Sequence, residues 1–250
     1  MIEHPELART YQIRRYAPDA LIIGNIGIDY LVSSDFSINK LSHALKVAGV
    51  DAVYIHLNMV QELAQVEGCR DFTAAYSKIA LMCEKIGVPV IAKEVGHGMD
   101  PITSKKLEDC GVAAIDIAGL GGTSWAYVES YRGSEIGETF RDWGIPTCLS
   151  LMLLADRTSL PVISSGGIEN GIDITKSLVL GAKLAGIARL FLAKAVDGED
   201  ALSKQIENII SEIRCTMALI GVSSIADIHE VPYVVTGKTR EMIDLLAKKY

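Results

Sequence analysis

The stretch PVISSGGIENG, Pro161–Gly171, places a short apolar run directly before two serines, a glycine pair and a polar turn. The apolar run does not alternate with polar residues, which is typical of a parallel strand buried on both faces. A helical pattern follows over residues 171–181. Two glycines between a strand and a helix let the backbone close around a phosphate, and a tight turn without a ligand is the alternative. The stretch therefore predicts one strand–turn–helix unit.

The same arrangement recurs along the chain as a helical pattern, a glycine and a short apolar run. It is present in KVAGVDAVYIH, EKIGVPVIAKE, EDCGVAAIDIAG and LGAKLAGIARLFL. The glycine is typical of a left-handed helix end, and strands that alternate with helices predict a parallel sheet. Six strands are predicted, at residues 21–25, 52–56, 89–93, 113–117, 161–165 and 185–189. Helices are predicted at residues 37–48, 71–86, 101–110, 146–157, 171–181 and 198–219. Residues 119–145 are predicted to be a long functional loop.

Polar residues follow the predicted strands, where both main α/β architectures place their sites. A (β/α)8 barrel has its site at the carboxyl ends of the strands, and a doubly wound sheet has it at the switch point. No GxGxxG pattern follows the first strand, whereas SSGGIENG and the later GIARLFL are typical of the phosphate site in the last two units of a barrel. We therefore predict an α/β fold of the TIM-barrel (β/α)8 type, with about six recognisable strands, as a single partial domain over residues 1–250.

The composition narrows the class of protein. The chain has 250 residues, 49% of them hydrophobic, and a net charge of −7, which argues against a nucleic-acid partner. Its five cysteines are odd in number and lack C-x-x-C spacing, so we expect reduced thiols rather than disulfides or a zinc site. Because neither a signal peptide nor a run of about 18 apolar residues is found, a cytoplasmic protein with no membrane partner is expected.

The stretch YIHLNMVQELAQVEG, Tyr54–Gly68, places His56, Asn58, Gln61 and Glu62 just past a strand. One carboxylate among neutral polar groups is a poor protein cage for a metal. It suits Mg²⁺ that also takes oxygens from a substrate phosphate. The alternative for VQELAQVEG is a solvated helical turn. The alternative for His56 is a hydrogen-bonded residue of the core.

Lys93 ends an apolar strand, where a charged side chain is either paired or functional. It is a candidate for an ion pair, for Schiff-base chemistry or for contact with a reduced flavin ring. Asp116 is predicted to be a buried carboxylate, which must find hydrogen-bonding partners. A structural role, in which it orients Lys93 or a backbone amide, is the alternative to a functional one. GLGGT, Gly119–Thr123, is a second glycine-rich turn. Two such turns suggest a large phosphorylated ligand, and FMN fits with its phosphate at residues 166–168 and 188–189.

Several segments together resemble the type 2 isopentenyl-diphosphate isomerases over nearly the whole chain. They are IHLNMVQELAQVEGCRDF, PVIAKEVGHGM, DIAGLGGTSWAYVES, RDWGIPT, PVISSGGIENGIDITKSLVLGA and GIARLFLAKA. The resemblance implies FMN-dependent interconversion of isopentenyl and dimethylallyl diphosphate in isoprenoid biosynthesis, with Mg²⁺, with NADPH as the flavin reductant, and with a homo-oligomer. It implies substrate contacts or catalysis by His56, Asn58 and Gln61 and metal binding by Glu62. It implies cofactor binding by Asn25, Lys93, Thr123, Gly166, Gly167, Ile168, Ala188 and Arg189.

The sequence also departs from the family pattern. The resemblance implies two more βα units at the front, so we expect the first two units of the barrel to be missing here and open edges at strands 21–25 and 185–189. Cys69 and Glu169 stand where other residue types are usual. Full activity is therefore expected to require the missing segment. The alternatives are another FMN-binding barrel oxidoreductase and an inactive or partner-completed barrel fragment.

Overall fold

The structure is a computed structural model that describes residue 2 and residues 4–246. The chain forms two compact units. The first consists of Met1–Glu94, Ile102–Ile115 and Ala126–Phe140, and the second of Val95–Pro101, Asp116–Trp125 and Arg141–Tyr250. A single domain over residues 1–250 stays a prediction. Within the described ranges, no helix has the length and apolar character needed to span a bilayer.

Six strands form one sheet with the order β1-β2-β3-β4-β5-β6. Their bounds are β1 Ile23–Gly27, β2 Ala52–His56, β3 Val90–Lys93, β4 Ala114–Asp116, β5 Val162–Ser164 and β6 Leu184–Ala185. The pairing is parallel from β1 through β3 in the first unit and between β5 and β6 in the second. Strand order that follows chain order with parallel pairing is typical of successive βα units. The predicted parallel α/β sheet is confirmed.

β2 keeps its predicted bounds, while the other five strands differ from theirs by one residue or more, most of all β1 and β6. β1 begins at Ile23 rather than at residue 21, because the N–H of Ile22 donates to the Asp51 carboxylate at 2.8 Å. β6 covers Leu184–Ala185 instead of residues 185–189, because a helix already begins at Arg189. The predicted strand therefore contained the start of a helix.

All six predicted helices are present among the α-helices of the described ranges. These α-helices are α1 Ile28–Val32, α2 Ile38–Ala48, α3 Met59–Ala64, α4 Ala75–Lys85, α5 Pro101–Asp109, α6 Trp125–Ser130, α7 Glu135–Thr139, α8 Thr147–Leu154, α9 Gly171–Val179, α10 Arg189–Asp197, α11 Glu199–Leu219 and α12 Gly237–Leu246. Short 3-10 helices cover Pro5–Tyr11, Ile13–Arg15 and Ile225–Glu230. The prediction of a long loop over residues 119–145 is wrong, because that stretch contains α6 and α7.

The first unit packs α2 and α4 around its three strands. Val53 and Ile55 of β2, Leu41 of α2 and Met82 of α4 are fully buried. Burial on both faces explains why the strand sequences do not alternate. A cavity of about 600 Å³ lies beside β1 and α2, along the edge where an open strand was expected.

An arginine ties the start of the described chain to this sheet. The guanidinium of Arg14 donates to the carbonyl of Gly49 and to the carboxylate of Asp51. The same carboxylate accepts the N–H of Ile22. This backbone hydrogen bond and the Arg14 cation hold the pKa of Asp51 below its ordinary value. The segment before β1 is therefore anchored by charge-assisted hydrogen bonds.

The second unit packs α8, α9 and α11 around β5 and β6. The N–H of Gly171, at the start of α9, donates to the Glu212 carboxylate of α11 at 2.7 Å. The Asn170 side chain caps the same helix by accepting the N–H of Asp173 at 2.9 Å. These hydrogen bonds satisfy backbone donors that a helix start leaves unpaired.

Shortening the fully buried Ile55 to alanine tests the importance of the first unit's core. Ile55→Ala removes buried methyl groups and leaves a cavity, so we expect the free energy of unfolding to fall by about 2–5 kcal/mol. Urea denaturation followed by circular dichroism measures it. Ile102→Ala is the matched control, because Ile102 is 59% exposed, and a change within about 0.5 kcal/mol is expected there. Equal losses in both variants would contradict this account of the core.

Candidate active site

β1, β2 and β3 bring three predicted site residues together in the first unit. The strand register pairs Gly27 with His56 and His56 with Lys93. The carboxamide oxygen of Asn25 accepts a hydrogen bond from Nδ1 of His56 at 3.2 Å. The Lys93 ammonium donates to the carbonyl of Glu94 at 2.9 Å. His56 and Lys93 thus stand at the ends of neighbouring parallel strands, and the amide of Asn25, from the middle of β1, contacts His56.

The imidazole of His56 is held neutral at pH 7. Burial lowers its pKa below 6.5, because an imidazolium loses its hydration there. The positive charge of Lys93 lowers the pKa further, while Asp29 opposes the shift. A neutral ring accepts at one nitrogen and donates at the other. With Nδ1 donating to Asn25, the other nitrogen, Nε2, is left as the acceptor.

Asn58 and Glu62 form a buried pair at the start of α3. The Asn58 amide nitrogen donates to one carboxylate oxygen of Glu62 at 2.8 Å, and the Cys69 backbone N–H donates to the other at 3.0 Å. The two side chains are 4% and 7% exposed, so the alternative of a solvated helical turn is wrong here. Residues four apart share one face of a helix, which is why this spacing brings the two groups into contact.

Glu129, on α6, organises the residues beside this pair. One oxygen of its buried carboxylate accepts from the side-chain amides of Gln61 and Gln65, at 3.2 and 3.1 Å. The other oxygen accepts from the Arg132 guanidinium at 2.8 Å, and Arg132 also pairs with Glu67. Glu129 thereby fixes the orientation of the Gln61 amide. Sequence reasoning missed Glu129, because it lay within the predicted loop. The apolar spacing in WAYVES was the available signal for a helix.

In the second unit, two glycine-rich loops pack backbone against backbone. The first glycine loop is Ala118–Thr123 and the second is Ser165–Ile168. Gly166 and Gly167 have φ of +96° and +75°, which side chains rarely adopt. A Cβ on Gly166 would lie 2.2 Å from the carbonyl oxygen of Gly119, and a Cβ on Gly122 would lie 2.8 Å from the nitrogen of Gly167. Only glycine permits this approach, so both loops expose backbone rather than side chains.

The last two predicted cofactor residues lie where α10 begins. Ala188 is the residue before the helix, and Arg189 is its first residue. Backbone N–H groups at a helix start favour an anion. The guanidinium of Arg189 pairs with the carboxylate of Glu169, the residue that departs from the family pattern. Glu169 therefore partly neutralises a cation of the predicted phosphate site.

The oxygen and nitrogen atoms that these residues present determine whether they fit a metal ion or a flavin phosphate. No group of three His, Cys, Asp or Glu in the described part of the chain is arranged to hold a metal ion. The side-chain oxygen Oδ1 of Asn58 is nevertheless buried beside Glu62 with no hydrogen-bond partner in the structure. An unsatisfied acceptor next to a carboxylate suits a Mg²⁺ ion that takes its remaining oxygens from a phosphate and water. The glycine loops suit a flavin phosphate.

Comparison with known proteins agrees with a flavin-dependent barrel. A lactate oxidase from Pediococcus acidilactici superposes with a TM-score of 0.65 at 17% identity, over 88% of this chain and 62% of that one. GMP reductase from Trypanosoma brucei has a TM-score of 0.58 at 18% identity, over 85% and 46%. These likenesses show the fold. The FMN-dependent dehydrogenase family matches residues 33–234, which defines the class of protein.

Within that class, the chain belongs to the family of isopentenyl-diphosphate delta-isomerases. It is 42% identical over 246 residues to the isopentenyl-diphosphate delta-isomerase of Methanothermobacter thermautotrophicus, covering 97% of this chain and 68% of that protein. The protein of the same name from Pyrococcus furiosus is 38% identical, with 98% and 64% covered. The chain thus spans about two thirds of the length of these relatives. The predicted family and fold class are confirmed, while the roles of the individual site residues stay predictions.

Titration of His56 followed by NMR tests the electrostatics of the first unit. We expect a midpoint below 6.5, a higher midpoint in Lys93→Met, and a lower one in Asp29→Asn. Because the folded state binds this proton less readily than the unfolded state does, His56 destabilises the fold as the pH falls below about 6.5. The two substitutions remove charges of opposite sign and so control for each other. A shift in the same direction in both would contradict this explanation.

Replacing Glu129 tests the buried network around Gln61. Glu129→Gln removes the charge that receives the guanidinium and leaves amide donors facing another amide group, so we expect a loss of about 1–3 kcal/mol in the free energy of unfolding. Glu67→Gln is the control, because Glu67 pairs with the same Arg132 on the surface, and no measurable loss is expected. Urea denaturation of both variants measures it. A loss confined to Glu67→Gln would be inconsistent with the network.

Proposed function

We propose that this chain carries the FMN-dependent site that interconverts isopentenyl diphosphate and dimethylallyl diphosphate, an intramolecular isomerisation in isoprenoid biosynthesis. The observation that carries the proposal is the buried Asn58–Glu62 pair, with its unsatisfied Asn58 oxygen, in the HLN-x-x-QE segment. Membership of the isomerase family supports the same reaction.

The Asn58–Glu62 pair is proposed to hold Mg²⁺ and, through it, the diphosphate. Each oxygen of Glu62 accepts one hydrogen bond, and a carboxylate has about four lone-pair sites, so it retains capacity for a metal. Mg²⁺ keeps several of its ligands from water and substrate phosphate rather than from the protein. A single buried carboxylate with a neutral oxygen beside it is therefore a sufficient protein contribution.

His56 and Gln61 are proposed to line the hydrocarbon end of the substrate. His56 is neutral, and its Nδ1 is engaged by Asn25, so Nε2 is the atom able to accept a proton or a hydrogen bond. The amide nitrogen of Gln61 is engaged by Glu129. Both side chains are thus oriented before a ligand arrives, and neither brings a positive charge against a carbon that gains positive character during isomerisation.

The second unit is proposed to hold the FMN phosphate. Gly166, Gly167 and Ile168 of the second glycine loop, with Ala188 and Arg189 at the start of α10, supply the backbone and the cation. Asn25, Lys93 and Thr123 are proposed to contact the rest of the flavin. When bound, reduced FMN supplies an acid–base or charge-stabilising group in a reaction without net oxidation, and NADPH keeps it reduced.

The setting of the enzyme is part of the proposal. We infer a cytoplasmic homo-oligomer that acts on a small diphosphate and has neither a nucleic-acid nor a membrane partner. The excess of acidic residues supports the absence of a nucleic-acid surface. Since the chain spans two thirds of its relatives, activity of the 250-residue chain by itself is the first point to test.

An FMN titration of the purified chain, followed by an isomerase assay with NADPH and Mg²⁺, tests this function. We expect saturable flavin binding and interconversion of the two diphosphates without net NADPH consumption. Net oxidation of an organic substrate would instead identify an oxidoreductase of the same family. Absence of flavin binding, together with a stable complex with another polypeptide, would identify a partner-completed barrel.

Glu62→Gln tests the metal site within the same assay. The substitution keeps the shape of the side chain but removes the charge that attracts Mg²⁺, so we expect turnover to fall by at least roughly 10- to 100-fold and to lose its Mg²⁺ dependence. Glu84→Gln, an exposed glutamate that pairs with Lys85 on α4, is the matched control and is expected to behave as the unmodified chain does. Unchanged turnover in Glu62→Gln would exclude this residue as the metal ligand.

A further inference from the structure

Asp116 contacts both glycine loops of the second unit through one oxygen atom. It is the last residue of β4, and its side chain is 5% exposed. Its Oδ1 accepts the hydroxyl of Ser165 at 2.6 Å, in the second glycine loop, and the N–H of Ala118 at 3.2 Å, in the first. The two contacts lie 49 and 2 residues away along the chain. A single buried carboxylate therefore bridges two segments that the sequence keeps far apart.

Further hydrogen bonds join the loops around this bridge. The N–H of Gly119 donates to the carbonyl of Ser165 at 2.9 Å. The hydroxyl of Thr147, at the start of α8, donates to the carbonyl of Gly166 at 2.6 Å. A Cβ on Gly119 would lie 2.4 Å from the Cα of Thr147. The three segments are therefore in close contact.

The backbone at the bridge is strained. Ala118 has a φ of +30°, the only positive φ found at a residue other than glycine in the described ranges. Such a conformation persists only where the surroundings hold it, and strain of this kind is often found at functional sites. The hydrogen bond from Ala118 N–H to Asp116 is a contact that holds it. Bonds to an ionised carboxylate are stronger than bonds to a neutral acceptor.

We propose that Asp116 is a positioning residue that fixes the two glycine loops relative to each other and so presets their backbone N–H groups for a flavin phosphate. This inference rests on the proposed FMN function. In this proposal, Asp116 acts through Ser165 and Ala118 rather than as a ligand of the cofactor. Its role differs from those of the glycines, which permit the close approach of the loops but do not select the spacing between them.

Hydrogen exchange measured by mass spectrometry on the full chain tests the coupling without any flavin. Asp116→Ala is expected to raise amide exchange at least about fivefold in residues 117–122 and also in residues 165–168. Asp116→Asn keeps an acceptor oxygen and is expected to restore part of the protection. Ser165→Ala removes one hydroxyl from the bridge and should raise exchange in both loops. It serves as the second variant if Asp116→Ala does not fold.

Ser164→Ala is the matched control. Ser164 precedes Ser165, is fully buried, and its hydroxyl donates to the hydroxyl of Ser177 on α9 rather than to either glycine loop. Its replacement removes a buried hydrogen bond of similar kind, so loop exchange close to that of the unmodified chain is expected. Exchange raised equally by Ser164→Ala and Ser165→Ala, or raised in only one loop by Ser165→Ala, would overturn the proposed coupling.

FMN titration of the same samples tests the consequence for the cofactor. We expect the dissociation constant to rise at least about tenfold in Asp116→Ala and Ser165→Ala and to stay within about twofold in Ser164→Ala. Coupled loops with unchanged FMN affinity in the variants would overturn the positioning role while leaving the proposed function intact. If the unmodified chain bound no FMN, the proposed function would fail, and with it the flavin part of this inference, whereas hydrogen exchange would still decide whether Asp116 couples the loops.

Discussion

Burying a carboxylate costs free energy unless hydrogen bonds replace the water that it loses, and much of the local structure in this protein follows from that constraint. Glu62, Glu129 and Asp116 are each less than 9% exposed. Each is satisfied by donors from more than one segment of the chain. The carboxylates therefore act as junctions, and the segments that they join are those that carry the predicted site residues.

The three junctions differ in what they leave available. Glu62 has hydrogen bonds on both oxygens but sits beside an Asn58 oxygen that has no partner, so this position has capacity for a ligand. Glu129 accepts three donors and orients the Gln61 amide. Asp116 accepts the backbone N–H of Ala118 and the hydroxyl of Ser165. The unpartnered Asn58 oxygen beside Glu62 thus distinguishes a binding position from the supporting positions at Glu129 and Asp116 on physical grounds.

The sequence predicted the parallel α/β sheet well, because buried parallel strands leave a continuous apolar run and a glycine stands at or just after the end of several helices, as Gly49 does after α2. β2 was predicted with its observed bounds, Ala52–His56. The prediction was wrong where polar and aromatic residues were interpreted as a loop, and α6 and α7 occupy that stretch. Short helices of five or six residues have little periodicity of their own and depend on tertiary contacts, such as the hydrogen bond from Ser134 to the carbonyl of Ala64.

By itself, the sequence determined the fold class, the family and the identity of the candidate residues in the HLN-x-x-QE and SSGG segments. These properties are encoded in local spacing, since residues four apart meet on a helix and paired glycines permit one kind of turn. Only the tertiary structure decided that Glu129 orients Gln61, that Glu169 pairs with Arg189 and that Asp116 bridges two loops. Those contacts join residues 20 to 68 positions apart, and no local pattern specifies which distant donor a buried carboxylate will find.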